Sequence, residues 1–118
     1  MKKEEHIEQV KFVNWLLLKF PEIRFYAIPN GGHRNIIVAR QMKAEGVMRG
    51  VPDLHFPSLR LWVEMKKKKG GRLSADQREW KDYLKEIGDT FLVCNGFDDA
   101  VRQFEGIING KQIKKIDI

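Results

Sequence analysis

Residues 50–66 read Gly-Val-Pro-Asp-Leu-His-Phe-Pro-Ser-Leu-Arg-Leu-Trp-Val-Glu-Met-Lys. Two runs rich in apolar side chains, residues 54–56 and residues 61–65, are separated by the turn-forming pair Pro57-Ser58. Short apolar runs interrupted by proline and serine are typical of two strands joined by a turn. The segment therefore predicts a hairpin, and we expect the rest of the chain to be organised around it.

Three charged side chains are expected to meet on one face of this hairpin. Because side chains alternate across a strand, Glu64 and Lys66 point to the same face. Asp53 lies just before the first strand and can reach the same place from the neighbouring strand. Two carboxylates and one ammonium group would then converge at one edge of a sheet.

Such a trio suits a metal site. Mg²⁺ prefers carboxylate oxygens and retains several waters. A lysine beside the metal can orient or help deprotonate an attacking water, or stabilise charge that develops on a phosphate. The alternative is a plain surface hairpin in which Glu64 and Lys66 are solvated. The Pro52-Asp53 pair before the strands and the polar helix predicted after them favour the metal site.

Pro52-Asp53 followed by Glu64-Met65-Lys66 matches the PD-(D/E)xK nuclease signature. With the flanking residues 50–54 and the later Gln77-Arg78-Glu79-Trp80, the chain resembles the VRR-NUC branch in particular. The resemblance extends from about Glu5 to about Phe104. It implies a restriction-endonuclease-like α/β sandwich, with a central mixed sheet flanked by helices, and a cofactor that is Mg²⁺ or Mn²⁺.

The resemblance also implies the metal ligands. Asp53, Glu64 and the Met65 backbone carbonyl would hold the cation. A glutamate on the first helix would help them, with Glu8 as the first choice and Glu5 as the alternative. Either glutamate can instead be a solvated residue of the helix surface.

Lys66 and Gln77 are expected to complete the catalytic set with Asp53 and Glu64. Lys66 would position the attacking water. Gln77 has two interpretations that do not exclude each other. It lies three residues after Ser74, the spacing of a capping box at a helix start. The resemblance implies instead an active-site glutamine that points back at the metal cluster.

Composition is typical of one globular domain covering residues 1–118. Of 118 residues, 42% are hydrophobic and 32% charged. No apolar run approaches the roughly 20 residues of a membrane span, and the N-terminus does not resemble a signal peptide. A single cysteine, Cys94, excludes an internal disulfide framework and suits a reducing cytoplasm. We expect a cytoplasmic protein with neither a membrane partner nor a nucleotide cofactor.

The net charge of +6 favours a polyanionic partner, because basic side chains that neutralise phosphates release counterions. A basic loop and a glycine-containing turn are the candidate DNA-binding segments. Their expected contacts are Lys67, Lys68, Lys69 and Arg72 in the loop, and Asn30 and Arg34 in the turn. The alternatives are a solubilising surface run and a simple strand-to-helix turn.

The predicted elements follow the order helix, strand, helix, hairpin, helix, strand, helix. Helices are expected over residues 4–19 and 35–45, between Ser74 and Gly88, and over residues 97–108. Further strands are expected over residues 23–28 and 90–94, the second of them buried and either central or parallel. The inward side chains expected in the first helix are Ile7, Val10, Val13, Leu16, Leu17 and Phe20. Residues 111–118 are expected to form an edge strand or a mobile tail.

With the resemblance, these features predict a metal-dependent DNA endonuclease, selective for Holliday junctions or other branched DNA. Similar single-domain proteins are often phage-encoded and resemble Holliday-junction resolvases, which work as dimers so that two sites can cut two strands. The resemblance therefore implies a homodimer. The alternative is a non-catalytic, basic nucleic-acid-binding module on a nuclease fold.

Overall fold

The computed structural model describes residues 2–29 and 35–116 of the chain, and its elements follow the predicted order. They are α1 (Lys3–Lys19), β1 (Tyr26–Ala27), α2 (Ile36–Ala44), β2 (Leu54–Phe56), β3 (Leu61–Lys66), α3 (Ala75–Glu86), β4 (Thr90–Asn95) and α4 (Phe97–Ile116). A 3₁₀ turn at Pro57–Leu59 joins β2 to β3.

The strands of the described residues form one mixed sheet in the order β1-β2-β3-β4. β2 pairs antiparallel with both β1 and β3, whereas β3 and β4 are parallel. The predicted hairpin is therefore β2–β3, with Leu54 opposite Val63. β4 is parallel to its neighbour as expected, but it lies at an edge of the described sheet rather than at its centre. A mixed sheet with flanking helices confirms the predicted α/β class.

Side-chain hydrogen bonds hold the turn between β2 and β3 to Asp89, which directly precedes β4. Arg60 adopts a left-handed conformation with φ of 49°, which is uncommon for a residue with a Cβ. Its Nε donates to Asp89 Oδ1 at 2.7 Å. The indole Nε1 of Trp62, on β3, donates to the other oxygen of Asp89 at 2.9 Å. These bonds fix how β3 enters the sheet and thereby fix its register.

The hydrophobic core lies between one face of the sheet and helices α1 and α4. Phe12 of α1, Phe56 of β2 and Phe104 of α4 are fully buried. The Phe104 ring centroid lies 6.0 Å from that of Phe12 and 5.2 Å from that of Phe56. α3 contacts β4 and the opposite face of the sheet, so the molecule has the layers of an α/β sandwich.

The periodicity of α1 identified its buried face only in part. Leu16 is buried as expected, but it shares its stripe with Phe12 and Glu8 at four-residue spacing. Ile7 and Val10, both expected inward, are each 43% exposed. Apolar residues occur on several sides of this helix, so periodicity alone does not select one face.

Two predicted strand segments differ from the structure. Of residues 23–28, only Tyr26 and Ala27 pair with a neighbouring strand, and both are exposed at the edge of the described sheet. Residues 111–116 continue α4, so the edge strand expected there is wrong. That part of the helix contains no proline to end it. Within the described residues, no helix is both long and apolar enough to cross a membrane.

Candidate active site

Asp53 and Glu64 meet beside the β2–β3 hairpin, as the sequence predicts. Asp53 directly precedes β2, and Glu64 lies in the middle of β3. Asp53 Oδ2 accepts a hydrogen bond from the backbone N–H of Met65 at 2.7 Å. The two acidic residues are only 6% and 3% exposed. The hairpin therefore holds two carboxyl groups side by side and largely out of water.

This arrangement strongly opposes ionisation of both groups. Burial and the neighbouring charge of Asp53 together raise the pKa of Glu64 to about 10. Burial also raises the pKa of Asp53, although the hydrogen bond from Met65 N–H opposes the shift. Two buried carboxylates become compatible when a positive charge lies between them. A divalent cation supplies that charge and prefers such hard oxygen ligands.

The two carboxyl oxygens of Glu64 differ in their contacts. Its Oε2 accepts a hydrogen bond from Gln77 Nε2 at 3.2 Å. Its Oε1 is buried and has no hydrogen-bond partner among the described residues. A buried carboxylate oxygen without a donor is unfavourable, so this atom fits the role of a metal ligand. The residues present therefore fit a divalent cation.

Gln77 joins the helix start to the charged cluster. Its side chain and that of Ser74 form the predicted capping box, with Ser74 N–H donating to Gln77 Oε1 at 2.8 Å. The same oxygen accepts from Lys66 Nζ at 2.9 Å. Lys66 Nζ also lies 3.9 Å from Glu64 Oε2. The side chain that caps α3 thus also contacts Glu64 and Lys66. The capping box is confirmed, and the role of Gln77 in an active site stays a prediction.

The cluster opens into a pocket of about 600 Å³. Its lining residues come from α1, the end of β1 and the segment after it, the approach to β2, β3 and the start of α3. They are Glu5, Gln9, Ala27, Ile28, Pro29, Arg49, Gly50, Asp53, Glu64, Ser74, Asp76 and Gln77. No third His, Cys, Asp or Glu side chain of the described residues joins Asp53 and Glu64 closely enough to form a metal cage. The pocket leaves room for waters and substrate beside the pair.

The structure places Glu8 away from this pocket and Glu5 in it. Glu8 Oε1 accepts a hydrogen bond from the backbone N–H of Phe97, the first residue of α4, at 2.9 Å. This bond lowers the pKa of Glu8 below its usual value of 4.5. Glu5 lines the pocket, and its charge acts on both Asp53 and Glu64. Of the two candidates on α1, Glu5 therefore lies in the pocket and Glu8, the first choice, does not. Whether either binds a metal stays a prediction.

Two pocket residues were not singled out from the sequence. Gln9 lies four residues after Glu5, so the two share one face of α1. This spacing could have identified Gln9, had Glu5 been preferred to Glu8. Asp76 lies in the first turn of α3, where an acidic residue is equally explained by the helix dipole. Its sequence position therefore carried no separate signal.

The predicted DNA-binding residues lie partly within the described structure. Lys68, Lys69 and Arg72 are exposed in the loop between β3 and α3, and Lys67 is half-buried there. This loop leaves the strand that carries Glu64 and Lys66. None of these four side chains lines the pocket, and Lys68 lies beside Gly96, next to Glu8. Their contact with DNA stays a prediction. Asn30 and Arg34, expected in the glycine-containing turn, lie outside the described residues.

Met65 contributes to the core with its side chain and to the site with its backbone. Its side chain is fully buried in the core, and its backbone N–H positions Asp53. The role of its backbone carbonyl as a metal ligand stays a prediction.

Comparison with known proteins supports the fold. A solved structure described as a VRR_NUC domain protein superposes with a TM-score of 0.77, covering 92% of this chain and 91% of that chain. The two sequences are 23% identical. No protein-family model matches the chain, and no curated protein matches it. The chain has the fold of that protein, and the predicted restriction-endonuclease-like sandwich is confirmed.

We predict that Glu8 stabilises the fold without serving the pocket. Replacing it by glutamine (Glu8→Gln) should lower the free energy of unfolding by about 1 kcal/mol at pH 7, because a charged acceptor at a helix N-terminus is lost. The pKa of Glu8 is lower in the folded state, so its charge stabilises the protein above pH 4.5. This contribution disappears as the pH falls through the lowered pKa. Urea unfolding from pH 7 downward measures the effect.

The exposed Glu22 offers a matched control, since Glu22→Gln changes the same charge without removing a described contact. A Glu8→Gln protein that is as stable as wild type at every pH, yet binds divalent metal more weakly, would contradict the structural role of Glu8.

Proposed function

We propose that this chain is a divalent-metal-dependent deoxyribonuclease of the VRR-NUC type that hydrolyses phosphodiester bonds. One observation carries the proposal. Asp53, Glu64, Lys66 and Gln77 lie in a single connected cluster, and all but Lys66 line the pocket. The likeness to a VRR_NUC domain protein supports the same assignment. Buried ionisable groups destabilise a fold, and they occur preferentially at functional sites such as those of hydrolases.

The cation would be Mg²⁺ or Mn²⁺, held by Asp53 and Glu64. Glu5 and the Met65 carbonyl would complete its protein ligands. Such a cation supplies activation of a bound water and neutralises negative charge on the phosphate. Oxygen-rich sites accept either metal.

Lys66 is placed to act on the attacking water and on the phosphate. It is only 7% exposed, and its ammonium is held at 2.9 Å by Gln77 Oε1. An ammonium fixed in this way orients a water through its remaining N–H donors and stabilises charge that develops on phosphate oxygens. Gln77 in turn is fixed by Ser74 at the helix start. The capping box thus holds in place the oxygen that binds the Lys66 ammonium.

The basic loop binds the DNA backbone without reading sequence. Lys67, Lys68, Lys69 and Arg72 follow directly from the catalytic strand, and lysine and arginine are common phosphate-binding residues. Asn30 and Arg34 are proposed to contribute from the turn after β1. The net charge of +6 supports binding to a polyanion.

Branched DNA, including the Holliday junction, is the proposed substrate, and a homodimer is the proposed active form. Cutting two strands of a branch needs two sites, which one small domain does not supply. α2 offers apolar surface for a second copy, because none of its nine residues is buried. Ile36 and Ile37 on this helix are each 64% exposed. Exposed apolar patches of this kind favour protein contacts.

We predict that Asp53→Asn, Glu64→Gln and Lys66→Met each lower the cleavage rate at least about a hundredfold, because each removes a charge that acts on the reacting groups. The rate is measured on labelled DNA with Mg²⁺, with Mn²⁺ and with EDTA. Glu79→Gln, an exposed carboxylate on α3, is the control and should cleave as wild type does. Circular dichroism of each variant checks that the protein is folded.

If all three variants still cleave DNA at the wild-type rate, the assignment of a nuclease site to these residues is wrong. Tight DNA binding by the wild type without cleavage in any metal would instead establish the alternative, a non-catalytic binding module on a nuclease fold.

We predict that the wild-type protein cuts a four-way junction faster than a linear duplex of the same sequence. Equal cutting of the junction and the duplex would support nuclease activity but contradict the preference for branched DNA.

Sedimentation of the same protein should give the mass of a dimer, and Ile36→Asp with Ile37→Asp should shift it to a monomer, because charged groups oppose burial of this surface. A wild-type monomer that cuts both strands of the junction would remove the homodimer.

We predict that Lys68→Gln, Lys69→Gln and Arg72→Gln each weaken DNA binding equally for unrelated sequences. Each should also reduce the dependence of log K on log salt concentration by about one unit, as expected for the loss of one phosphate contact. Fluorescence anisotropy over a salt series measures both effects. Lys19→Gln and Lys85→Gln, which change the same charge at the ends of α1 and α3, are the controls. If the control variants bind DNA as weakly as the loop variants do, overall charge rather than the loop is responsible for binding.

A further inference from the structure

Two buried side-chain oxygens lack a hydrogen-bond partner among the described residues. They are Gln9 Oε1 and Glu64 Oε1. Both residues line the same pocket, although they are 55 positions apart in the chain (64 minus 9). Buried polar atoms are almost always paired, so two exceptions in one pocket point to a group that binds there.

The backbone around Gln9 explains why its side chain faces the pocket. Gln9 follows Glu5 by four residues on α1, and both line the pocket. The adjacent residue, Glu8, faces α4 instead and accepts a bond from Phe97 N–H at 2.9 Å. The core residues Phe12 and Leu16 fix the rotation of the helix about its axis. Gln9 is therefore held towards the pocket by packing elsewhere on the same helix.

The chemistry of an amide oxygen limits what it can bind. Gln9 Oε1 accepts hydrogen bonds and donates none. A phosphodiester also presents only acceptor oxygens, so the DNA backbone gives this atom no partner. A hydrated divalent cation does, because its bound waters are strongly polarised donors and Mg²⁺ retains several of them.

The contacts of Glu64 leave one of its oxygens for such a cation, in the pocket that Gln9 also lines. Glu64 Oε2 is already engaged by Gln77 Nε2 at 3.2 Å, with Lys66 Nζ at 3.9 Å. Oε1 is the oxygen left for a cation. Gln77 and Lys66 thus bound the site on one side, and Glu5 and Gln9 of α1 line the same pocket.

We propose that Gln9 is a positioning residue for the metal: its Oε1 accepts a hydrogen bond from a water bound to the divalent cation that Asp53 and Glu64 hold. This inference rests on the proposed function, because it requires a cation in the pocket. Gln9 orients a metal-bound water and thereby tightens metal binding. Outer partners of this kind commonly change metal affinity by about tenfold or more.

The test measures Mn²⁺ binding to the protein without DNA, by isothermal titration calorimetry. Gln9→Met keeps the length of the side chain and removes the amide, so its Kd for Mn²⁺ should rise about tenfold. Gln9→Glu keeps an acceptor oxygen and should bind Mn²⁺ at least as tightly as wild type. Asn14→Met, which removes an exposed amide from the same helix, is the control and should leave the Kd unchanged.

Stability of the metal-free protein separates positioning from packing. Gln9→Met removes a buried oxygen that lacks a partner, so the metal-free protein should be at least as stable as wild type in urea. Its stabilisation by added Mn²⁺ should be smaller. A structural role for Gln9 would produce the reverse pattern, with lower metal-free stability and an unchanged Kd.

The outcomes distinguish this inference from the proposed function. Two results would overturn the role of Gln9 alone. Gln9→Met could bind Mn²⁺ with the Kd of wild type, or Gln9→Glu could bind Mn²⁺ as weakly as Gln9→Met does. A wild-type protein that does not bind Mn²⁺, or that binds it no better than Glu64→Gln does, would overturn the metal site and this inference with it.

Discussion

The burial of Asp53 and Glu64 beside each other is the constraint on which the rest of the structure depends. Each carboxyl opposes ionisation of the other, and the pKa of Glu64 rises to about 10. The surrounding residues compensate only in part for this unfavourable burial. Met65 N–H donates a hydrogen bond to Asp53, and Gln77 and Lys66 both contact one oxygen of Glu64. The remaining oxygen has no donor among the described residues. The cluster therefore leaves the protein less stable than a fully paired arrangement would.

The alternation of side chains along β3 couples this site to the core. Val63 and Met65 are fully buried on one face, while Glu64 and Lys66 project from the other. A register slip of one residue would exchange the two sets, placing charges in the core and apolar groups in the pocket. The bonds from Arg60 and Trp62 to Asp89 oppose that slip at the start of the strand. Core packing and strand register therefore fix the geometry of the charged cluster as well as the fold.

The sequence predicted those parts of the molecule that depend on local patterns. The hairpin follows from alternation and turn residues, and the capping box of Ser74 and Gln77 from their spacing. The choice between Glu5 and Glu8 was not local. It depends on how α1 is rotated against α4, and the apolar residues on several sides of α1 leave that rotation open. The sequence predicted β1 and α4 but not their lengths: β1 is shorter than residues 23–28, and α4 continues beyond residue 108 to Ile116.

The energetics of α1 decide which glutamate the pocket receives. Glu8, Phe12 and Leu16 recur every four residues and form the buried stripe of the helix. Turning Glu8 into the pocket would turn Phe12 out of the core, and loss of a buried phenylalanine costs about 3–5 kcal/mol. A carboxylate placed in the pocket would not offset this cost. The stripe therefore holds Glu8 at the start of α4, and the same rotation presents Glu5 and Gln9 to the pocket.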